Sequence, residues 1–282
     1  MPSAQDLVRK FVELKTLPHV ALRLTRLVNE EKSTMHDFEE VIRLDPVLVT
    51  RLLRLVNSPY FGLINKVESI PKAVVYVGMK NLRNLVAVEA LRNLFRGGEN
   101  DNGFSRKNLW IHSATVAIVA EMIAKRIFGQ EGEDVFLAGI IHDIGLIVED
   151  QLAGELLQQA CAAYDPAVNT LVACEQDAIG CNHSEVGTLL AKDWRLPLEV
   201  VKAIRSHHDT QKKHPITSVT SILQLAEYIA GKLNYSPIVG RFDPLPSHLV
   251  RHVRSMMSNY KVIMRDLPAE MNKARDLYET GE

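Results

Sequence analysis

Cysteine is scarce: the 282 residues hold Cys161, Cys174 and Cys181, an odd number with no C-x-x-C spacing. That excludes a disulfide framework and a thiolate zinc knuckle, and the thiols are expected to be reduced, as in the cytoplasm. Long apolar runs are missing too. No stretch reaches about 18 uninterrupted apolar residues, so no membrane-spanning helix is expected. The opening "MPSAQDLVRKFVELK" lacks the apolar core of a secretory signal. An excess of charge is absent: 33 basic against 34 acidic residues leave a net charge of −1. This balance argues against a dedicated nucleic-acid surface, which needs a basic excess. Period-two alternation is nearly absent, which removes a sheet-based fold.

Helical periodicity fills the chain instead, and the expected fold class is all-α. "HVALRLTRLVNE" repeats apolar residues at helical intervals, and Thr34 is placed to cap "MHDFEEVIRL". Asp45 and Pro46 are N-cap and first-turn residues for "VLVTRLLRLV". Pro71 opens "PKAVVYVGM", and "KNLRNLVAVEALRNLF" follows. Arg96 to Asn108 is polar and glycine-rich, and marks a boundary. Beyond it, "LWIHSATVAIVAEMIAKRIF", "FLAGIIHDIGLIVED", "AGELLQQACAAY", "NHSEVGTLLAKDW", "LPLEVVKAIRSHH" and "ITSVTSILQLAEYIAGKL" all suit helices. A second break near "NYSPIVGRFDPLPS" precedes an amphipathic tail. Leu249, Val253, Met256, Met257, Tyr260, Ile263 and Met264 there either cover the core or meet a second copy of the chain.

Several polar residues lie on faces that helices normally bury. Val116, Val119, Ile123 and Ile127 form a stripe, and His112 lies four residues before it on the same face. It is either a hydrogen-bonded core residue or a ligand. His142 and Asp143 sit side by side in an apolar run. They project from adjacent helix faces and either converge on one point or reach water at a helix end. Gly139, one turn earlier, leaves space above Asp143. Asn182 and Glu185 suit a capping box, and His183 shares a face with Gly187, Leu190 and Trp194. His207 and His208 end the helix that Pro197 begins, where the helix dipole alone would welcome them. Glu227 shares a face with Thr220, Leu223 and Ala230. Together these imidazoles and carboxylates form a ligand set for iron, manganese, zinc or nickel. A cation would neutralise Asp143 and use the free nitrogen of His142, which would offset the cost of burying both.

The order His112, His142-Asp143 and a later acidic residue resembles the HD superfamily of metal-dependent phosphohydrolases. "HSEVG" and His207-His208 resemble the larger ligand set of its HD-GYP branch. "LPHVALRLTRLVNE", "LDPVLVTRLLRLVNSPYFG", "SIPKAVVYVGMKNLRNLV", "AGIIHDIG", "HSEVGTLLAKDWRLP" and "IRSHH" are similar to the HDOD family, a signalling-associated relative, over roughly Leu14 to Gly231. The resemblance implies a helical N-terminal part (residues 1–98), a linker (99–108), an HD-like bundle (109–234) and a helical tail (235–282). It implies one divalent metal held by His112, His142, Asp143 and Glu227. Asp143 would bridge to a second held by His183 with one or both of His207 and His208. Between two metals, Asp143 would serve catalysis through a bridging water of lowered pKa.

Three departures from HD-GYP enzymes stand out. Glu227 replaces the usual Asp, Leu146 occupies the place of a phosphate-binding lysine, and the glycine-tyrosine-proline signature is absent. The ligands are kept while substrate-handling groups are lost. The function implied is therefore a regulatory or signal-transduction module in the cytoplasm, with signalling partners in trans and a nucleotide or phosphate ligand. A phosphodiesterase acting on a nucleotide or cyclic dinucleotide is the first alternative; Lys202, Arg205, Lys212 or Lys213 would then replace the missing lysine. Nucleic-acid binding through Arg43, Arg51 and Arg54 is the second. Asn57 and Ser58, in the family block, suit a turn after a helix.

Overall fold

A computed structural model describes residues 2–14, 23, 27, 34–43, 46–95, 104–238 and 242–274. Most of the helix expected at 19–30, the Asp45 cap, the Arg43 side chain, residues 96–103 of the first break and 239–241 of the second lie outside these. Among the described residues the chain is helical. An isolated antiparallel bridge joins Phe104 to Ile238.

Helix α1 spans Ala4–Leu14, α2 Met35–Arg43, α3 Pro46–Val56 and α4 Ile70–Arg92, followed by a 3-10 turn at Asn93–Phe95. The Thr34 hydroxyl accepts from the Asp37 amide and donates to its carboxylate, so Thr34 caps α2 as its position suggests. Asn57 does the work of a clasp after α3. Its side chain donates to Leu53 O and Val67 O and accepts from Val67 N, all at 2.7–2.8 Å. Within α4 the chain breaks at Gly78, with φ 79° and ψ 158°. Glycine alone adopts that conformation at little cost, which explains why two helical runs meet there.

The second part runs α5 (Arg106–Arg126), α6 (Glu133–Ile141), α7 (Ile144–Ala163), α8 (Leu171–Ala178), α9 (His183–Asp193), α10 (Leu198–Ser206) and α11 (Val219–Lys232). The tail forms α12 (Ser247–Ser255) and α13 (Met257–Lys273). Ser105, Thr170, Asn182 and Ser218 each accept a backbone amide at the start of α5, α8, α9 and α11. Helix α7 is kinked at Ala153, where the periodicity of the sequence restarts.

Helix α5 is the spine, with Val116, Val119 and Ile123 fully buried against α6 and α11. Gly139 does not leave open space. A Cβ there would lie 2.4 Å from Ala117 Cα, so α5 and α6 touch backbone to backbone. Helix α10 packs on α6, α9 and α11, and α9 packs on α7. These contacts bring the ends of α6, α9 and α10 together beside α5 and α11.

The N-terminal helices brace this bundle. Buried Arg83 on α4 bonds Asp134 Oδ1 at 3.0 Å, and Asn84 bonds Glu133 O at 2.7 Å, pinning α4 to the start of α6. Helix α1 buries Leu7 and Phe11 and packs on α7 and α9. Tail helix α13 lies on α5 through buried Tyr260 and Ile263, with Arg126 paired to Asp266 and Glu270. The tail thus covers the core, leaving Met257 and Met264 partly exposed. All three cysteines are buried thiols. No helix among the described residues is long and apolar enough to cross a membrane.

Candidate metal centre

The expected ligands meet at one place. His112 comes from α5, and His142 and Asp143 from the α6–α7 junction. His183 opens α9, His207 and His208 follow α10, and Glu227 comes from α11. His142-Asp143 does not lie within one helix. Helix α6 stops at Ile141, and Asp143 (φ −98°, ψ 14°) starts α7. Nor does this helix end reach water: His142 is 0% exposed and Asp143 3%.

Asp143 divides the group into two sets. Its Oδ2 lies 3.1 Å from His142 Nε2 and 3.6 Å from His112 Nε2, while Glu227 Oε1 is 2.9 Å from His142 Nε2. Its Oδ1 lies 3.4 Å from both His183 Nε2 and His207 Nε2, and His208 Nε2 is 3.0 Å from His183 Nε2. Within each set of four the donor atoms are all within 4.8 Å of one another. Ligand bonds of about 2.0–2.2 Å place neighbouring ligand atoms roughly 3.0–3.5 Å apart around an ion. The observed separations fall in and around that range.

The histidine tautomers point the same way. Four Nδ1 atoms have a hydrogen-bond acceptor: Tyr235 O for His112 (2.6 Å), Gly139 O for His142 (2.8 Å), Glu175 for His183 (2.7 Å) and Ile204 O for His207 (2.7 Å). The fifth, His208 Nδ1, lies 2.9 Å from Asp243 Oδ2. With the proton assigned to Nδ1 by these partners, each Nε2 presents a lone pair to the centre. Two such lone pairs face each other at 3.2 Å (His112 and His142) and at 3.0 Å (His183 and His208). Only a proton or a cation makes either contact favourable. Asp143 Oδ1 and His207 Nε2 are buried with no hydrogen-bond partner among the described residues. An imidazole oriented from behind and a carboxylate beside it, both orphaned in front, suit a divalent cation, so the donor set fits one.

The electrostatics agree. Burial alone would raise Asp143 and Glu227, yet His142 beside Asp143 and His207 beside Glu227 hold both carboxyls well below the usual range. Burial opposes a charge on His142, and the Asp143 charge overrides it and holds the imidazole well above its usual value. Two buried carboxylates therefore hold positive charge near them, either as protons or as ions.

Three acids and one glycine complete the surroundings of the ligands. Glu175, fully buried on α8, receives both His183 Nδ1 and the His183 backbone amide. Asp243 reaches His208 from the segment before α12. Glu149 is buried with neither oxygen hydrogen-bonded among the described residues, and burial followed by the charge of Glu175 holds its carboxyl well above the usual range. Gly145 lets α9 approach, since a Cβ there would lie 2.1 Å from His183 O. Gly145 falls within the family-like "AGIIHDIG" run, and the three acids carried no sequence signal of their own.

A cavity of about 680 Å³, counting its open mouth, lies over the centre. Tyr164, Leu171, Tyr228, Ile238, Phe242 and Leu245 supply much of its wall. Among the described residues no lysine or arginine lines it. Leu146 is buried in the core at 1% exposure and is not part of the wall.

The HDOD domain profile matches residues 14–210, which ends short of Glu227. The crystal structure of an HDOD domain protein of unknown function from Geobacter sulfurreducens is 26% identical, with a TM-score of 0.70 over 95% of this chain and 93% of that one. A structure from Shewanella amazonensis SB2B, named as a candidate phosphohydrolase, is 25% identical, with a TM-score of 0.67 over 96% and 95%. An uncharacterized protein of Treponema pallidum (strain Nichols) is 26% identical over 246 residues, 83% of this chain and 46% of that protein. The chain thus spans less than half the length of that relative.

Proposed function

This chain belongs to the HDOD family, and we propose on that premise that it is a signal-transduction module whose HD-type centre takes up two divalent ions and binds a phosphate-bearing ligand without turning it over. The observation that carries this reading is the cation-free wall of the cavity. Phosphoryl transfer requires groups that hold the non-bridging oxygens and stabilise their growing charge. Leu146 is buried in the core and offers no such group. Lys202 is exposed and paired with Glu199 at 2.7 Å, and neither it nor Arg205, Lys212 or Lys213 lines the cavity.

His112, His142, Asp143 and Glu227 would hold one ion, and Asp143, His183, His207 and His208 the other. When bound, the ions would supply Lewis acidity toward a phosphate oxygen. The aromatic rings of Tyr164, Tyr228 and Phe242 give a ligand an apolar surface to stack on. Signalling partners would act in trans on the braced N-terminal helices.

The test loads the protein with manganese, iron or nickel and assays bis(p-nitrophenyl) phosphate, mononucleotides and cyclic dinucleotides. No turnover is expected with any metal. Robust hydrolysis that Asp143→Ala abolishes would overturn the reading in favour of a metal-dependent phosphodiesterase. That alternative draws its support from the carboxylate shared between two ligand sets. Nucleic-acid binding has weaker support, because Arg51 is engaged with buried Glu89 at 3.3 Å.

A further inference from the structure

We infer that Tyr164 and Asp243 are positioning residues that set the affinity of the second cation position, the one facing His183, His207 and His208, and leave the first untouched. The inference rests on the two-cation reading above.

The two positions are supported differently from behind. At the first, His112 and His142 are oriented by backbone carbonyls, Tyr235 O and Gly139 O. At the second, His207 is oriented by Ile204 O and His183 by Glu175. His208 is the exception. Its orienting group is a side chain outside the bundle helices, Asp243, 2.9 Å from His208 Nδ1. Neither His208 Nδ1 nor Asp243 Oδ2 has any hydrogen-bond partner among the described residues, so this close charge contact is the polar interaction available to both. With a side chain 18% exposed at the mouth of the cavity, His208 is also less confined by packing than fully buried His183.

Asp243 is itself held in place. Its Oδ1 accepts the hydroxyl of Tyr164 at 2.9 Å, and Tyr164 is the buried residue that ends α7. The preceding Phe242 sits against Gly231, where a Cβ would lie 2.5 Å from its Cγ, and meets Tyr228 edge to face at 5.9 Å. A carboxylate fixed on both sides presents one oxygen to His208. It fixes the imidazole so that Nε2 faces His183 and Asp143, and it raises the basicity of that nitrogen. Loss of such an outer partner typically costs about 10–100-fold in metal affinity.

The test uses the full chain stripped with a chelator and titrated with Mn²⁺ against a competing indicator. Wild type, Asp243→Asn and Tyr164→Phe are compared, with circular dichroism as the folding check. Wild type is expected to take up two ions. In Asp243→Asn the first binding constant should stay within two-fold while the second weakens about 10–100-fold. Tyr164→Phe keeps the carboxylate and removes only its anchor, so it should weaken the second ion in the same direction by a smaller factor. It also keeps the proposal testable if Asp243→Asn fails to fold. Electron paramagnetic resonance adds a signature that a merely structural role would not move. At an Mn²⁺ level that gives a coupled pair in wild type, the variants should show the six-line spectrum of an isolated ion. Unchanged second-site affinity in both folded variants, or equal weakening at both positions, would overturn the proposal. Uptake of fewer than two ions by wild type would instead remove the two-cation reading and this proposal with it.

Discussion

Asp143 Oδ1 stands 3.4 Å from His207 Nε2, and neither of these buried atoms has a hydrogen-bond partner among the described residues. A buried polar atom without a partner costs about 1–3 kcal/mol. Here two of them, an acceptor and a lone pair, aim at one another across a gap. The cost is offset if a cation stands between them.

Cation binding should therefore stabilise the fold. Free Mn²⁺ at 100 times its dissociation constant adds about 2.7 kcal/mol per site. That corresponds to a Tm rise of roughly 5–10 °C for a chain of this size. Differential scanning fluorimetry should show that rise in wild type and none in Asp143→Ala, which removes a ligand from both sets. A shift of equal size in the variant would locate the binding elsewhere.

Gly145→Ala should damage the second position specifically. The new Cβ would meet His183 O at 2.1 Å, and both partners are helix backbone with little room to give. Overpacking of this kind costs about 1–3 kcal/mol, and relief comes by moving the start of α9 away from Asp143. Chemical denaturation should show the stability loss, and metal titration the loss of one ion. A variant that keeps both ions at wild-type affinity would contradict the packing described here.

Uptake of cations should release protons near neutral pH. His207 is pushed down from 6.5 to about 4, by burial and by neighbouring His208, and is already neutral at pH 7. Burial opposes a charge on His208, but Asp243 and Glu227 hold it at about 9. At pH 7 a cation must displace that proton and the one that Asp143 holds on His142, so affinity should climb as pH rises through about 9. The cation-free fold has its own dependence. The contribution of His208 is fully present below its unfolded value and is lost as pH rises through about 9. His207, neutral when folded but protonated when unfolded, lowers stability as pH falls from 6.5 toward about 4. Calorimetry in buffers of differing ionisation enthalpy reads the proton count directly; proton uptake at pH 7 would contradict the assignment.

Asn57→Ala should separate fold from site. Three hydrogen bonds close the loop from Leu53 to Val67 through this side chain, and it lies in the N-terminal half, away from the ligands. Its removal should cost about 2–3 kcal/mol in denaturant titrations. Metal stoichiometry should stay at the wild-type value. A drop in metal content without a loss of stability would give Asn57 a different role.

Much of this was legible before any coordinates. The stripe of Val116, Val119 and Ile123 fixed which face of α5 is buried, and His112 followed from it. Asn182 and Thr34 announced their helices through side chains that accept backbone amides. The break at His142-Asp143 was hidden because the run around it is apolar on every face, which leaves periodicity no phase to lose. Gly139 was misread for a related reason. Its missing side chain admits the α5 backbone, a neighbour 22 positions away that no local pattern reveals. Glu175, Glu149 and Asp243 act through tertiary contacts alone. Each is an ordinary acidic residue in sequence and acquires meaning only from the imidazole or carboxylate that folding sets beside it.

Elemental analysis of purified protein, loaded with a divalent metal and then desalted, tests the shared-carboxylate centre most directly. The geometry predicts two ions per chain in wild type and a loss of both in Asp143→Ala. Metal-free wild type after loading, or a variant that retains the full complement, would contradict it.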